Sequence, residues 1–167
     1  LLVPYLTAGV SADWQDHARA WVAAGADAIE IGLPFSDPML DGTAVQQASQ
    51  RALERGMTPR VAITEVGGLE LGVPLVAMTY SNVVQRHGRA EFCRRLCDAG
   101  IAGLIVVDTP HDEAEPLIEA ARTEDVELVL LIAPSTSPQR VRQIAGASRG
   151  FVYAATVMGP TGERDGL

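Results

Sequence analysis

Three carboxylates follow one another in the early segment "DAIEIGLPFSDPMLDG". Glu30 interrupts an apolar run typical of a buried strand, and Asp37 and Asp41 follow in a proline-stiffened loop. A carboxylic acid between aliphatic side chains has a raised pKa, so it can both donate and accept a proton near neutral pH. A second carboxylate that stays ionised could hydrogen-bond an N–H group or stabilise positive charge. Glu30 and Asp41 are therefore candidate catalytic residues at the end of one strand, one to exchange a proton and the other to stay ionised.

Structural explanations compete with each of these assignments. A buried Glu30 could be held by an ion pair, because acids are seldom buried without a partner. Aspartate before proline or glycine is also a common turn residue, which applies to Asp37 and Asp41. Asp41 is favoured as functional because its loop emerges at the rim toward which Glu30 points. Asp108, which ends the fourth predicted strand, could cap a helix or contact a substrate.

The sixth predicted strand and the loop after it add weaker candidates. Tyr153 in "GFVYAAT" is either a core residue or a pocket wall at the rim. The glycine-rich loop from Gly159 to Gly166 is either a surface connection or a lid that could cradle a phosphate.

The absence of lysine and of a histidine cluster limits the reactions that this chain could catalyse. All 13 basic residues are arginine, so neither a Schiff-base lysine nor a P-loop lysine is available. His17, His87 and His111 share no metal-ligand spacing, and no metal site is predicted. Cleavage of a carbon–carbon bond usually uses a lysine imine or a metal as the electron sink. A substrate that contains its own electron sink, such as a nitrogen heterocycle that can tautomerise, could be cleaved with carboxylates as the only catalytic side chains.

Charge, hydropathy and cysteine content predict a cytoplasmic protein. A formal charge of −8 argues against nucleic acid or an anionic membrane as the main partner. No apolar run approaches the roughly 18 residues of a membrane span, and the N-terminus has no basic leader. Cys93 and Cys97 are expected as small buried side chains on one helix face in a reducing compartment.

Short apolar runs alternate with stretches of helical period along the whole chain. The predicted strands are Leu2–Thr7, Ala28–Leu33, Pro74–Thr79, Gly103–Val107, Glu127–Ile132 and Phe151–Ala154. The predicted helices are about Ala12–Ala24, Thr43–Arg55, Pro59–Val66, Arg89–Ala99, Asp112–Thr123 and Pro138–Ala145. Ser11 and Ser137 are predicted helix caps, with Pro138 at a first helical position. Glycines are predicted to end four helices, at Gly25, Gly56, Gly100 and Gly146.

This alternation predicts an α/β fold with a parallel sheet in one domain over residues 1–167. The second strand has two different faces. One face carries Ile29, Ile31 and Leu33, and the other carries small residues and Glu30. A doubly wound sheet would need both faces apolar, but a barrel accepts an inner carboxylate near its C-terminal rim. We therefore expect a TIM (β/α)8 barrel with about six of its eight βα units.

Six segments together resemble the tryptophan synthase alpha-subunit family. They are "PYLTAG", "DAIEIGLPFSDPMLDG", "MTYSN", "VVDTP", "LIAPSTSP" and "GFVYAATVMGPTG". The resemblance implies a TIM barrel that cleaves indole-3-glycerol phosphate to indole and glyceraldehyde 3-phosphate. It implies no cofactor in this chain, because the pyridoxal phosphate belongs to the beta subunit, with which an alpha2beta2 complex is expected.

The resemblance also assigns roles to residues. Glu30 would be the catalytic acid–base, and Asp41 would hydrogen-bond the indole N–H. The substrate-binding residues would be Tyr5, Tyr153, Thr161 and Gly162, the last two near the phosphate. The loop that meets the beta subunit would include Pro34, Asp37 and Pro38.

The family continues through two more βα units, which hold most of the phosphate contacts, so a fragment is expected here. Two other functions stay open on the sequence. One is an inactive truncated barrel that only binds a beta-type partner, and the other is a stand-alone lyase that releases indole.

Overall fold

The structure, a computed structural model, describes residues 1–156 as strands alternating with helices. The strands are β1 Tyr5–Thr7, β2 Ile29–Gly32, β3 Leu75–Thr79, β4 Gly103–Val106, β5 Glu127–Ile132 and β6 Val152–Ala154. The α-helices are α1 Trp14–Ala23, α2 Thr43–Glu54, α3 Pro59–Val66, α4 Ser81–His87, α5 Arg89–Asp98, α6 Glu115–Thr123 and α7 Pro138–Ala147. A short 3-10 helix, His111–Glu113, precedes α6.

The strand order settles the architecture. Each strand pairs in parallel with the next one along the chain, in the order β1-β2-β3-β4-β5-β6. A doubly wound sheet reverses its order at a switch point, whereas a βα barrel adds each strand beside the previous one. The predicted barrel architecture with six βα units is therefore confirmed.

The two faces of the sheet bury different clusters, as the pattern in β2 predicted. Ile29 and Ile31 are fully buried in the large cluster between the sheet and the helices. A smaller cluster on the opposite, concave face is formed by Val76, Ile105, Val129, Met78, Val107, Leu131 and Tyr153. Because side chains alternate along a strand, Glu30 faces this concave side.

Several predicted boundaries were wrong by a few residues. β1 begins at Tyr5 rather than Leu2, since Pro4 has no N–H to donate to a ladder. The N-cap of α1 is Asp13, so the predicted cap at Ser11 was wrong. The cap at Ser137 is confirmed, because its hydroxyl accepts from the Arg140 N–H at 3.4 Å.

The prediction that glycines end four helices was right at Gly25, Gly56 and Gly100. Each has a positive φ directly after or near the end of its helix. Gly146 instead lies inside α7, where nothing would touch an added Cβ, so that prediction was wrong.

The cysteines differ in exposure, which corrects the expectation that both are buried. Cys93 is fully buried on α5, and burial raises the pKa of its thiol to about 11. Cys97, one turn later, is exposed. No helix within residues 1–156 is long and apolar enough to cross a membrane.

Helix α4 was not predicted, because its cap comes from a distant residue. Tyr80 occupies the N-cap position without a side-chain cap bond. The Asp108 carboxylate, at the end of β4, instead accepts from the Ser81 N–H at 2.6 Å and from the Ser81 hydroxyl at 2.8 Å. Of the two roles predicted for Asp108, the structure shows a helix cap, for α4 rather than for the helix that follows β4.

Asp108→Ala is expected to lower the free energy of unfolding by about 1–2 kcal/mol, because it removes both bonds to the first turn of α4. Urea unfolding followed by circular dichroism measures the change. Asp112→Ala is the control, since Asp112 forms only an exposed ion pair with Arg140 at 2.9 Å. Its removal should cost less than about 0.5 kcal/mol. Equal costs for the two variants would contradict the capping role.

Candidate active site

Glu30 is a buried acid in the middle of β2. Its backbone is in register with Tyr5 of β1 and Val76 of β3, and only 6% of the residue is exposed. Within residues 1–156, no ion pair or side-chain hydrogen bond to its carboxylate is found. Burial alone raises the pKa of Glu30 to about 7. Residues 1–156 therefore give no support to the ion-paired alternative considered from the sequence.

Tyr5 lies beside this acid, and a glycine makes room for it. A Cβ on Gly32 would lie 2.5 Å from Cζ of Tyr5 and closer still to its hydroxyl. Only glycine lets the ring lie over the strand in this way. The Thr7 hydroxyl donates to the Tyr5 hydroxyl at 3.3 Å. Burial, with smaller contributions from the charges of Asp41 and Glu30, raises the pKa of Tyr5 to about 12.

Asp41 lies in the β2–α2 loop, half-buried, at the mouth of the barrel. The pKa of its carboxyl is raised, chiefly by burial, and the nearby Tyr80 hydroxyl opposes part of that rise. The same hydroxyl accepts from the Leu40 N–H at 3.1 Å. The ring of Tyr80 packs against Phe35 with centroids 5.2 Å apart, so this tyrosine contacts both ends of the loop.

Tyr153 of β6 is the fourth predicted site residue that the structure describes on the concave face. It is half-buried in the concave cluster, and burial raises the pKa of its hydroxyl, with further contributions from the charges of Glu30 and Asp41. Tyr5 and Asp41 line one cavity, Glu30 is the register partner of both Tyr5 and Val76, and Tyr153 packs in the same concave cluster as Val76. The structure thus brings together Glu30, Asp41, Tyr5 and Tyr153.

A small cavity opens at this end of the barrel. Its lining combines polar and apolar residues: Tyr5, Leu33, Phe35, Asp41, Ser49, Met78, Thr79, Tyr80 and Val107. Glu30 is not part of the lining, and it is the register partner of Tyr5 on the adjacent strand. Tyr5, Asp41 and Tyr80 thus line one cavity beside the strand that carries the buried Glu30.

Sequence reasoning missed Tyr80. The motif "MTYSN" was noted, but a tyrosine directly after a strand was not taken as a site residue. Its position at the C-terminal end of β3, the rim where barrel enzymes carry their chemistry, was the available signal.

A profile of the family described as "Tryptophan synthase alpha chain" matches residues 1–167. The tryptophan synthase alpha chain of Synechococcus sp. strain CC9902 is 43% identical over 168 residues, covering 98% of this chain. That of Nitratidesulfovibrio vulgaris is 43% identical over 170 residues and covers 99% of this chain. The chain belongs to the tryptophan synthase alpha chain family.

Solved structures of tryptophan synthase have the same fold. A Mycobacterium tuberculosis tryptophan synthase matches with a TM-score of 0.90 at 39% identity, over 98% of this chain and 65% of that one. An alpha2beta2 tryptophan synthase complex from Pyrococcus furiosus matches with a TM-score of 0.84 at 37% identity, over 92% of this chain and 67% of that one. The six-unit sheet therefore corresponds to most of an alpha-subunit barrel.

The chain spans less than two thirds of the curated relatives it matches, 62% of the Synechococcus protein and 66% of the Nitratidesulfovibrio protein. Two residues assigned by resemblance to the alpha chain, Thr161 and Gly162, lie outside the described residues. They remain predictions.

The residues predicted to meet a beta subunit lie just before two exposed apolar residues, Met39 and Leu40. Asp37 is exposed and accepts from the Ser36 hydroxyl at 2.5 Å, Pro38 is half-buried, and Pro34 is buried. Between Asp37 and Asp41, Met39 is 79% exposed. Pro34 can therefore shape this loop but does not itself present a surface.

The histidines hold separate positions on the outside of the barrel. His17 lies on α1 with its Nε2 3.8 Å from an Asp13 oxygen, and His87 stacks on Phe92 with centroids 6.2 Å apart. His111 begins the 3-10 helix before α6. No group of three or more possible metal-ligating side chains is found in residues 1–156.

Proposed function

We propose that this site cleaves indole-3-glycerol phosphate to indole and glyceraldehyde 3-phosphate, as part of a tryptophan synthase alpha subunit. The observation that carries the proposal is the buried Glu30 on the concave face, which has no ion-pair partner among residues 1–156 and whose pKa of about 7 lets it change protonation state at neutral pH. Family membership and the fold agree with this assignment.

The reaction is a retro-aldol cleavage in which no electrons leave the substrate. Protonation of the indole ring at C3 makes the ring an electron sink. The glycerol hydroxyl next to that carbon loses its proton, its C–O bond becomes the aldehyde carbonyl, and the carbon–carbon bond breaks toward the ring. One carboxyl group near half-protonation can give the first proton and accept the second, which is the role proposed for Glu30.

Asp41 would act on the other side of the ring. An ionised carboxylate that accepts the indole N–H stabilises the positive charge that C3 protonation places on the ring nitrogen. Tyr5 and Tyr153 would form the walls of the ring pocket. Thr161 and Gly162 would contact the phosphate or close over it, as the resemblance implies.

Partner and location complete the proposal. The chain would act as one domain in the cytoplasm and join a beta subunit in an alpha2beta2 complex, through the loop that contains Pro34, Asp37 and Pro38. Pyridoxal phosphate would belong to that beta subunit, and this chain would carry no cofactor. The exposed Met39 beside Asp37 supports a protein contact at this loop.

Asp41→Asn tests the proposed function. An amide at this position can still reach the indole N–H but cannot offset the charge formed on the ring, so kcat/KM for indole release should fall about 100-fold. The assay measures indole formed from indole-3-glycerol phosphate by the 167-residue chain, with and without a tryptophan synthase beta subunit. Asp112→Asn, at an exposed position near the same rim, is the control. Unchanged kcat/KM in Asp41→Asn would refute this role.

The second candidate function is binding of a beta-type partner without catalysis. The exposed side chains of Met39 and Leu40, next to the residues assigned to that contact, favour it. Titration with a beta subunit, assayed separately from indole release, distinguishes the two. Release of indole without any partner would instead indicate a stand-alone lyase.

A further inference from the structure

The phenol of Tyr5 occupies the space that a side chain at position 32 would fill. The three atoms nearest to a Cβ added at Gly32 all belong to Tyr5, with the ring carbon Cζ at 2.5 Å and the hydroxyl closer still. Gly32 does not have a positive φ, so its backbone would accept an L side chain, and the room that Tyr5 needs is what explains the glycine. The Thr7 hydroxyl donates to the same phenol oxygen at 3.3 Å, which holds the ring in this place.

This place lies next to Glu30, on the side toward the C-terminal rim. Glu30 and Gly32 are two residues apart in β2, so a side chain at 32 would leave the sheet on the same concave face, one step nearer the rim. Tyr5 starts beside Glu30, as its register partner on β1, and its ring extends from there to Gly32. The Tyr5 side chain therefore borders Glu30 on two sides, toward β1 and toward the rim.

The other surroundings of Glu30 on the concave face are apolar. Val76, its register partner on β3, packs in the concave cluster with apolar residues of β4 and β5. The cavity at the rim has Tyr5 in its lining but not Glu30, and Glu30 is only 6% exposed. Tyr5 is thus the side chain that borders both the rim cavity and the buried acid.

We propose that Tyr5 is a positioning residue whose ring, in the place that Gly32 leaves free, keeps water away from Glu30. The inference rests on the proposed function, because an acid that stays protonated near neutral pH can protonate the ring of the substrate. This role is separate from that of a pocket wall. Contact with water would favour the charged carboxylate and lower the pKa of Glu30 from about 7 toward its ordinary value of 4.5.

The titratable groups at this end of the barrel are Tyr5 of β1, Asp41 of the β2–α2 loop and Tyr153 of β6. The strands β3, β4 and β5 direct apolar residues to the concave face. Within residues 1–156, no cation forms an ion pair with Glu30. Exclusion of water is therefore the property by which Glu30 differs from an exposed carboxyl.

Tyr5→Ala tests the proposal by removing the ring. The pKa of Glu30, measured by carbon-13 NMR of carboxyl-labelled glutamate in the 167-residue chain, should fall by about one unit or more. Glu30→Gln assigns the signal. Tyr5→Phe is the matched control, because it keeps the ring over Gly32 and should keep the pKa of Glu30 where it is. An unchanged pKa of Glu30 in Tyr5→Ala would overturn the proposal.

A second control separates shielding from a general loosening of the concave face. Val129→Ala removes buried apolar volume from the same face on β5, three strands from β2. The pKa of Glu30 should stay unchanged in this variant. A fall equal to that in Tyr5→Ala would overturn the proposal.

Gly32→Ala tests the same contact while Tyr5 is still present. The added methyl group would displace the ring, so the pKa of Glu30 should fall as it does in Tyr5→Ala. In the variant with both substitutions the two decreases should not add, because each acts by moving the same ring. A decrease in Tyr5→Ala but not in Gly32→Ala, or full addition in the double variant, would overturn the proposal.

The pH dependence of turnover gives an independent measurement. Because the protonated carboxyl of Glu30 starts the reaction, kcat/KM for indole release in Tyr5→Ala should fall more at pH 8 than at pH 6. Loss of a pocket wall alone would lower kcat/KM by the same factor at both pH values. An equal loss at the two pH values would overturn the proposal.

Two further outcomes keep the tests separate. If Tyr5→Ala does not fold, Gly32→Ala and the unsubstituted chain still decide, because the ring protons of Tyr5 should show a nuclear Overhauser effect to the α protons of Gly32. Absence of that effect would overturn the inference. The NMR measurements need no turnover, so a chain that shows the fall in pKa but does not cleave indole-3-glycerol phosphate with a beta subunit present refutes the proposed function alone.

Discussion

Glu30→Gln is expected to lower indole release about a thousandfold, within the range that a positioned general acid–base contributes. Glutamine keeps the shape of the side chain but can neither deliver a proton to C3 nor accept one from the glycerol hydroxyl. The loss should appear in kcat, because the apolar surroundings that bind the ring are unchanged. The measurement is steady-state indole formation with the beta subunit present.

The pH dependence sharpens this test. Since the pKa of Glu30 is about 7, the rate for the unsubstituted chain should respond to pH around neutrality. The residual rate of Glu30→Gln should lack that response. Circular dichroism and beta-subunit titration check that the fold and the partner surface persist. A variant that keeps turnover within tenfold of the unsubstituted chain would remove Glu30 from the mechanism.

The acid in β2 was predictable because it violates a local pattern. A strand with aliphatic residues on one face and small residues on the other leaves a single charged group with no reason to be there except chemistry or an ion pair. That one strand separated a barrel from a doubly wound sheet and located the site. The structure added what periodicity could not supply: among the described residues, no cation accompanies Glu30.

Long-range contacts were out of reach for the sequence. The cap of α4 comes from Asp108, 27 residues after the Ser81 that it binds, so no local signal marks this helix. The contact between Gly32 and Tyr5 likewise joins neighbouring strands. Tyr80 was missed for the same reason, because its hydroxyl bond to Leu40 spans 40 residues.

The burial of Glu30 should also lower the free energy of unfolding of the folded chain at neutral pH. In the folded chain the pKa of Glu30 is about 7, against an ordinary value of 4.5. The folded state therefore binds more protons than the unfolded state between these values, and stability falls as pH rises through that window. A gap of about two and a half units corresponds to about 3 kcal/mol, lost in full above pH 7.

Glu30→Gln removes the charge, so the free energy of unfolding of this variant should exceed that of the unsubstituted chain by about 3 kcal/mol at pH 8. At pH 4.5 most of the advantage should disappear, because Glu30 is then neutral in the folded chain. Urea unfolding at both pH values measures the difference. Glu54→Gln, on the exposed side of α2, should stay within about 0.5 kcal/mol at each pH. A Glu30→Gln advantage that is the same at both pH values would mean that packing, rather than a buried charge, distinguishes the two side chains. A variant inactive in cleavage yet more stable above neutral pH is the combination expected of an acid held in an apolar site for its chemistry.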